Sequence, residues 1–122
     1  MRGGDAAGRG RMGEEAALAH LRGHGLRLIA RNHRCRAGEI DLVMAEGEVV
    51  VFVEVRLRRR SDYGSALESV DARKQRRIAE AARHFLAGHP ELARRPARFD
   101  VVAVEPSAGG LACRWIRDAF RC

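Results

Sequence analysis

Residues 39–56, EIDLVMAEGEVVVFVEVR, decide how this chain folds. Two runs rich in β-branched and aliphatic residues, 39–45 and 48–56, flank Glu46-Gly47, which predicts a β-hairpin. The stretch Val49-Val50-Val51-Phe52-Val53 is apolar at every position rather than every other one. A strand of that pattern is buried on both faces, so helices must cover the sheet from both sides. Two charges interrupt the apolar hairpin: Asp41 between Ile40 and Leu42, and Glu54 between Val53 and Val55. A carboxylate set in an apolar strand is costly unless it is paired or holds a metal.

Turn length relates the two acids. With Glu46 and Gly47 as the turn residues, Asp41 faces Phe52 and Glu39 faces Glu54. Strand side chains alternate, so Glu39, Asp41, Phe52, Glu54 and Arg56 project to one side. Asp41 and Glu54 are then diagonal neighbours, roughly 7–8 Å apart. Carboxylates at that range can share one hard cation such as Mg²⁺, with waters filling the other positions. The plainer alternative is a pair of structural ion pairs with nearby arginines. A three-residue turn would put the acids on opposite faces.

The remaining elements follow outward from the hairpin. Gly13-Glu14-Glu15 opens a helix with Ala17, Leu18 and Leu21 on one stripe, ended by Gly23 to Gly25. Residues 26–34 read as a strand with Leu26, Leu28 and Ala30 on one face. Residues 57–68 read as a polar loop, after which Ser69 is the expected N-cap of a helix reaching about Ala87, with Ile78, Ala82 and Phe85 buried. Gly88 and Pro90 stop that helix, and residues 98–104 and 111–117 supply two more strands around a turn at Pro106 to Gly110. The order α-β-β-β-α-β-β predicts an α/β domain with a mixed five-stranded sheet flanked by helices. Residues 1–12 read as a basic flexible tail and residues 13–122 as a single domain. With 5% aromatic residues, the core must be built mainly from Val, Leu, Ile and Ala.

Lys and Arg number 23 against 16 Asp and Glu, a formal charge of +7. A phosphate backbone rewards such a surface through counterion release, so nucleic acid is the leading partner. Genome bias toward Arg is the alternative, since Lys74 is the only lysine. The basic candidates for phosphate contact are Arg58, Arg59 and Arg60 after the second hairpin strand, and Arg73, Lys74, Gln75 and Arg77 at the start of the second helix. A run of charges is otherwise a solvated loop, and cations at a helix start oppose its macrodipole. The odd set Cys35, Cys113 and Cys122 suggests free thiols in a reducing compartment. No apolar run is long enough for a membrane span, and no signal core is present, so the cytoplasm is expected. The five histidines lack metal-ligand spacing as a set. Asp100 is expected to pair with a core arginine, Trp115 to be core rather than a stacking platform, and Ser61 and Ser65 to have no triad partners.

Gly38-Glu39-Ile40-Asp41-Leu42 and Phe52-Val53-Glu54-Val55-Arg56 form a D-x(12)-E-x-R pattern. With Gly13-Glu14-Glu15 upstream and Lys74-Gln75-Arg76-Arg77-Ile78 downstream, residues 11–104 resemble the bacterial YraN-type group, related to Holliday-junction resolvases within the PD-(D/E)XK nuclease superfamily. That resemblance implies a restriction-endonuclease-like fold and Mg²⁺- or Mn²⁺-assisted phosphodiester hydrolysis. It implies Asp41 and Glu54 as metal ligands, Glu14 as a third acid from the first helix, and position 56 as the catalytic lysine. It also implies a homodimer. The chain departs from the pattern at Arg56, which cannot deprotonate and holds a water differently. Two functions therefore stand: a metal-dependent endonuclease acting on DNA, branched DNA included, or a non-catalytic nucleic-acid-binding module on the nuclease fold.

Overall fold

The computed structural model describes residues 2–58 and 63–121, with side chains for 10–58 and 66–121. In chain order the elements are α1 (Arg2–Gly23), β1 (Arg27–Arg34), β2 (Glu39–Glu46), β3 (Val49–Leu57), α2 (Tyr63–Glu68), α3 (Ala72–Ala87), α4 (Pro90–Ala93), β4 (Ala97–Ser107) and β5 (Gly110–Phe120). They form one five-stranded sheet in the spatial order β1-β2-β3-β4-β5. Every neighbouring pair is antiparallel except β3 and β4, which run parallel. A parallel pair needs a crossover connection, and here it is made by α2, α3 and α4. This is the expected mixed five-stranded α/β architecture, and it is consistent with a restriction-endonuclease-like fold.

The apolar pattern of β3 explains the layering. Val51 and Val53 join Leu42, Met44, Val102 and Val104 beneath Ala17, Leu18 and Leu21 of α1. Val50 and Phe52 face the other way, into a cluster with Val43, Ala81, Ala82 and Phe85 of α3. Each fully buried side chain of this size contributes about 1.5–3 kcal/mol, so the central strand anchors both layers.

Several boundaries differ from expectation. The helical backbone of α1 starts at Arg2 instead of Gly13, continuing from the packed turns around Leu18 and Leu21 through a segment whose four glycines, Gly3, Gly4, Gly8 and Gly10, disfavour helix by propensity. Residues 63–68, read as loop, form the short helix α2. Asp71, not Ser69, caps α3: its side chain accepts the Lys74 N–H at 2.9 Å. The Ser69 hydroxyl is engaged elsewhere, accepting from Arg56 Nε at 2.9 Å and donating to the Ala66 carbonyl at 2.7 Å. Pro90 begins α4 as well as ending the segment before it, a placement its fixed φ favours. In β1 the register shifts between Leu28 and Ala30, so Leu28 packs on the α1 side while Ile29 and Ala30 pack on the α3 side. A bulge of this kind is what undoes a strict alternation.

The hairpin is offset by one residue at its turn. Glu46 pairs with Val49, leaving Gly47 and Glu48 as the turn residues. Gly47 has φ +59°, at the first central position, where hairpin turns favour glycine. Glu46 is held within β2 by Arg98 Nη1 and Arg117 Nη1, each at 2.8 Å from its Oε1. The paired residue numbers therefore sum to 95 instead of 93. A shift of two in that sum preserves parity, so Asp41 and Glu54 stay on the same face. Glu39 does not face Glu54; by the observed register Asp41 is level with Glu54, one step beyond the last ladder pair, Leu42 and Val53.

A candidate metal and phosphate cleft

Asp41 stands where the β2–β3 ladder ends. The Val55 backbone N–H donates to Asp41 Oδ2 at 2.8 Å. Glu54, on the same face of β3, is 5% exposed. Its Oε2 receives Lys74 Nζ at 3.3 Å and Arg56 Nη1 at 3.3 Å. Both acids line one cleft of about 330 Å³ between the β1–β2 turn, the hairpin and α3.

Glycine shapes one wall. The Cys35–Gly38 turn is closed by two backbone hydrogen bonds, Cys35 N–H to the Gly38 carbonyl at 2.9 Å and the reverse at 3.2 Å. A Cβ on Gly38 would lie 3.1 Å from the Arg77 carbonyl oxygen, so only glycine lets this turn close against α3 without displacement. Arg77 Nε also donates to the Ala37 carbonyl at 3.3 Å. The wall so formed carries Arg34 and Arg36, while Lys74 and Arg77 line the cleft from α3. Lys74 and Arg77 also line an adjoining depression with Ser69, Asp71 and Arg73. The result is an acidic pair, Glu54 buried and Asp41 half-buried, inside a basic rim.

The two acids are not electrostatically alike. Burial pushes the Asp41 carboxyl up to about 7, and the neighbouring Glu54 charge adds to that rise. The Val55 N–H opposes the rise, while Glu14 and Glu39 each add a smaller upward push. Asp41 thus carries a charge that its surroundings do not compensate. Glu54, by contrast, has two cations on one oxygen.

The donor set limits what ion would fit. Among the described residues no group of three or more His, Cys, Asp and Glu is disposed to hold a metal ion. Two carboxylates, one carrying an uncompensated charge, suit a hard divalent ion that keeps most of its waters or takes oxygens from a phosphate. They do not suit a closed zinc site.

Of the residues named from sequence, Asp41, Glu54, Lys74 and Arg77 meet in the cleft, and Glu39 joins them. Glu14 comes near enough to act on Asp41 electrostatically, but its carboxylate turns toward Arg31 Nη2 at 3.8 Å. Arg56 adjoins the cleft through Glu54 and Ser69 and is not among its lining residues. Arg58 lies along β4, its N–H donating to the Val104 carbonyl at 2.7 Å. Arg73 lines the adjoining depression. Gln75 donates its side-chain amide to the Val70 carbonyl at 2.9 Å, which ties the start of α3 to the segment before it. Arg59, Arg60 and Ser61 lie outside the described residues, as do Cys122 and the Ser65 side chain. Arg34 and Arg36 were not named from sequence, and Gly38 was named only as part of the motif before Asp41. The alternating arginines just before Gly38-Glu39 were the available signal.

Other expectations concern groups away from the cleft. Asp100 does pair with an arginine, Arg98, and Trp115 donates its indole N–H to it. Cys35 and Cys113 are free thiols. The histidines make local ring contacts, His33 Nε2 lying 3.0 Å from His84 Nδ1 and His24 stacking edge-on to Trp115. No helix among the described residues is long and apolar enough to cross a membrane.

Fold and site together define a class: a small α/β domain in which a mixed sheet presents two neighbouring carboxylates, one buried and one half-buried, to a basic cleft. The chain belongs to the uncharacterised protein family UPF0102, whose pattern matches residues 13–104. It is 51% identical over 114 residues to a UPF0102 protein of Pseudomonas entomophila, covering 93% of each chain. It is 53% identical over 111 residues to a UPF0102 protein of Stutzerimonas stutzeri, covering 91% of this chain and 92% of the relative. A UPF0102 protein of Alcanivorax borkumensis is 51% identical over 112 residues, covering 91% and 90% of the two chains. The matched region spans α1 through β4, so both acids, Lys74 and the cleft wall fall inside it.

Proposed function

We propose that the protein is a Mg²⁺- or Mn²⁺-dependent endonuclease of the PD-(D/E)XK type, acting on DNA and on branched DNA in particular. The observation that carries this reading is the pairing of half-buried Asp41 with buried Glu54, two acids on one face of a hairpin and ringed by Arg34, Arg36, Lys74 and Arg77. Asp41 and Glu54 would hold the ion, which when bound would supply acidification of a water and charge to offset the phosphate. Arg34, Arg36 and Arg77 bind the phosphate oxygens and aim the scissile group at the acids. Arg56 cannot act as a base; its guanidinium fixes the orientation of Glu54. The reaction adds one water across a phosphodiester: an O–P bond forms, the P–O bond to the leaving oxygen breaks, and the water proton ends on that oxygen. The products are a phosphomonoester and an alcohol. A two-fold branched substrate fits a homodimer, and a DNA substrate in a bacterial cell fits the cytoplasm.

One observation favours a second reading, a nucleic-acid-binding module without turnover. Glu54 already has two cationic partners on one oxygen, so its charge is compensated without a metal.

Incubation with linear, flapped and four-way-junction DNA, in Mn²⁺ or in chelator, divides the two. The nuclease reading expects cleavage in Mn²⁺ alone, lost in Asp41→Ala and Glu54→Ala. Cleavage that survives both substitutions rejects the site. Binding without metal-dependent cleavage supports the module.

A further inference from the structure

We propose that Lys74, on α3, supplies the site's reactive-centre cation, and that Arg56, on β3, does not. The proposal rests on the nuclease reading and specifies which side chain contacts the attacked phosphate.

Sequence spacing puts position 56 two residues after Glu54, where the catalytic lysine of the resembling pattern stands. The structure commits that side chain to Ser69 and Glu54. Arg56 Nε donates to Ser69 Oγ at 2.9 Å and Nη1 donates to Glu54 Oε2 at 3.3 Å, so two of the three guanidinium nitrogens are engaged within the fold. It does not line the cleft. A side chain used in this way is committed to positioning Glu54 against Ser69.

Lys74 does the opposite. Its Nζ reaches the same Glu54 oxygen at 3.3 Å, but from the cleft side, and the side chain is 40% exposed. It lines both the cleft and the basic depression that continues from it. An ammonium at that junction lies between the two acids and the route a phosphate backbone would take. Its backbone is well held: Asp71 Oδ1 accepts the Lys74 N–H at 2.9 Å, and the Gln75 amide ties the same turn to Val70.

Composition sharpens the point. Lys and Arg number 23, and Lys74 is the sole lysine. Arginine meets every other requirement for positive charge in this chain. A compact ammonium with three rotatable donors on a flexible stem can shift between a carboxylate and a phosphate oxygen, where a planar fork is rigid. A divalent ion held by Asp41 and Glu54 would compete for the Glu54 oxygen that Lys74 now contacts and would leave the ammonium for a phosphate oxygen.

The test uses the full chain, Lys74→Gln and Arg56→Gln, and four-way-junction DNA. Single-turnover cleavage is measured in saturating Mn²⁺, DNA affinity in Ca²⁺ by anisotropy, and Mn²⁺ affinity by calorimetry. Removing a preorganised stabiliser of developing charge costs on the order of 100- to 1,000-fold in rate. Lys74→Gln is expected to lose about that much, with DNA affinity changed less than about tenfold and Mn²⁺ bound no more weakly than by wild type. Arg56→Gln is expected to lose less than Lys74→Gln. Near-wild-type cleavage by Lys74→Gln, a larger loss in Arg56→Gln, or a loss in Lys74→Gln that tracks weakened Mn²⁺ binding overturns the assignment and leaves the nuclease reading intact. A wild-type protein that cleaves no DNA in Mn²⁺ overturns both.

Discussion

Asp41 and Asp100 occupy the same kind of sequence, a lone aspartate in an apolar strand, and the fold treats them in opposite ways. Both accept a backbone N–H where a strand ladder breaks. Asp41 takes Val55 N–H past the last β2–β3 pair. Asp100 takes Asp118 N–H at 2.9 Å, at the register shift between β4 and β5. Asp100 then gains Arg98 Nε at 2.9 Å and the Trp115 indole N–H at 2.9 Å, and is wholly buried. Among the described residues Asp41 receives no donor beyond Val55, and it opens onto a cleft. The closed acid fastens the sheet. The open acid is left with unused acceptor capacity beside a second carboxylate, which is the arrangement a cation relieves.

Removing each acid should therefore move stability in opposite directions. Asp100→Ala leaves Arg98 and the Trp115 N–H without their shared partner, and the loss is expected to be about 3–5 kcal/mol in urea unfolding followed by circular dichroism. A loss below about 1 kcal/mol would remove Asp100 as the structural counterpart.

Asp41→Asn should stabilise the metal-free protein, and the pH dependence carries the sign. The raised Asp41 value means that the folded state keeps a proton which the unfolded state releases from about pH 4 upward. Stability is consequently lost as pH rises through that window, and the penalty is complete above about pH 7. In chelator at pH 8 the substitution is expected to gain roughly 1–3 kcal/mol, shrinking toward zero below about pH 4. A destabilised Asp41→Asn at pH 8 would make Asp41 a structural acid like Asp100.

The smallest effect concerns the basic rim, which Asp100 lacks. Arg77→Ala should weaken DNA binding and make the log–log salt slope about one unit shallower, because one phosphate contact is lost. The slope is read from anisotropy between low and moderate salt. An unchanged slope would take Arg77 off the phosphate path.

The comparison also explains how much the sequence could disclose. The hairpin, its double-sided burial and the shared face of Asp41 and Glu54 were legible because alternation has a period of two, and the one-residue offset of the turn preserves parity. The offset itself was not legible. It follows from Arg98 and Arg117 holding Glu46 in the strand, and Arg98 and Arg117 lie far along the chain. Lys74 and Arg77 were identified by their clustering on a helix start. Arg34 and Arg36 were missed because they enter the cleft through a turn whose closure against α3 depends on Gly38, a tertiary contact. Ser69 and Asp71 are equally good caps by residue type, and only the Arg56 hydrogen bond to Ser69 distinguishes them. The different treatment of Asp41 and Asp100 was legible in part: an arginine partner was expected for Asp100, and Arg98 is near it in sequence, but its other donors, Trp115 and Asp118, come from another strand.

The central claim, that Asp41 and Glu54 form a cation site, is tested most directly by following the Asp41 carboxyl carbon by NMR during pH titration, with and without Mg²⁺. Asp41→Asn supplies the assignment. The account predicts a midpoint well above the usual carboxylate range, near 7, in chelator, falling when Mg²⁺ is added. A midpoint near 4 that Mg²⁺ does not move would contradict it.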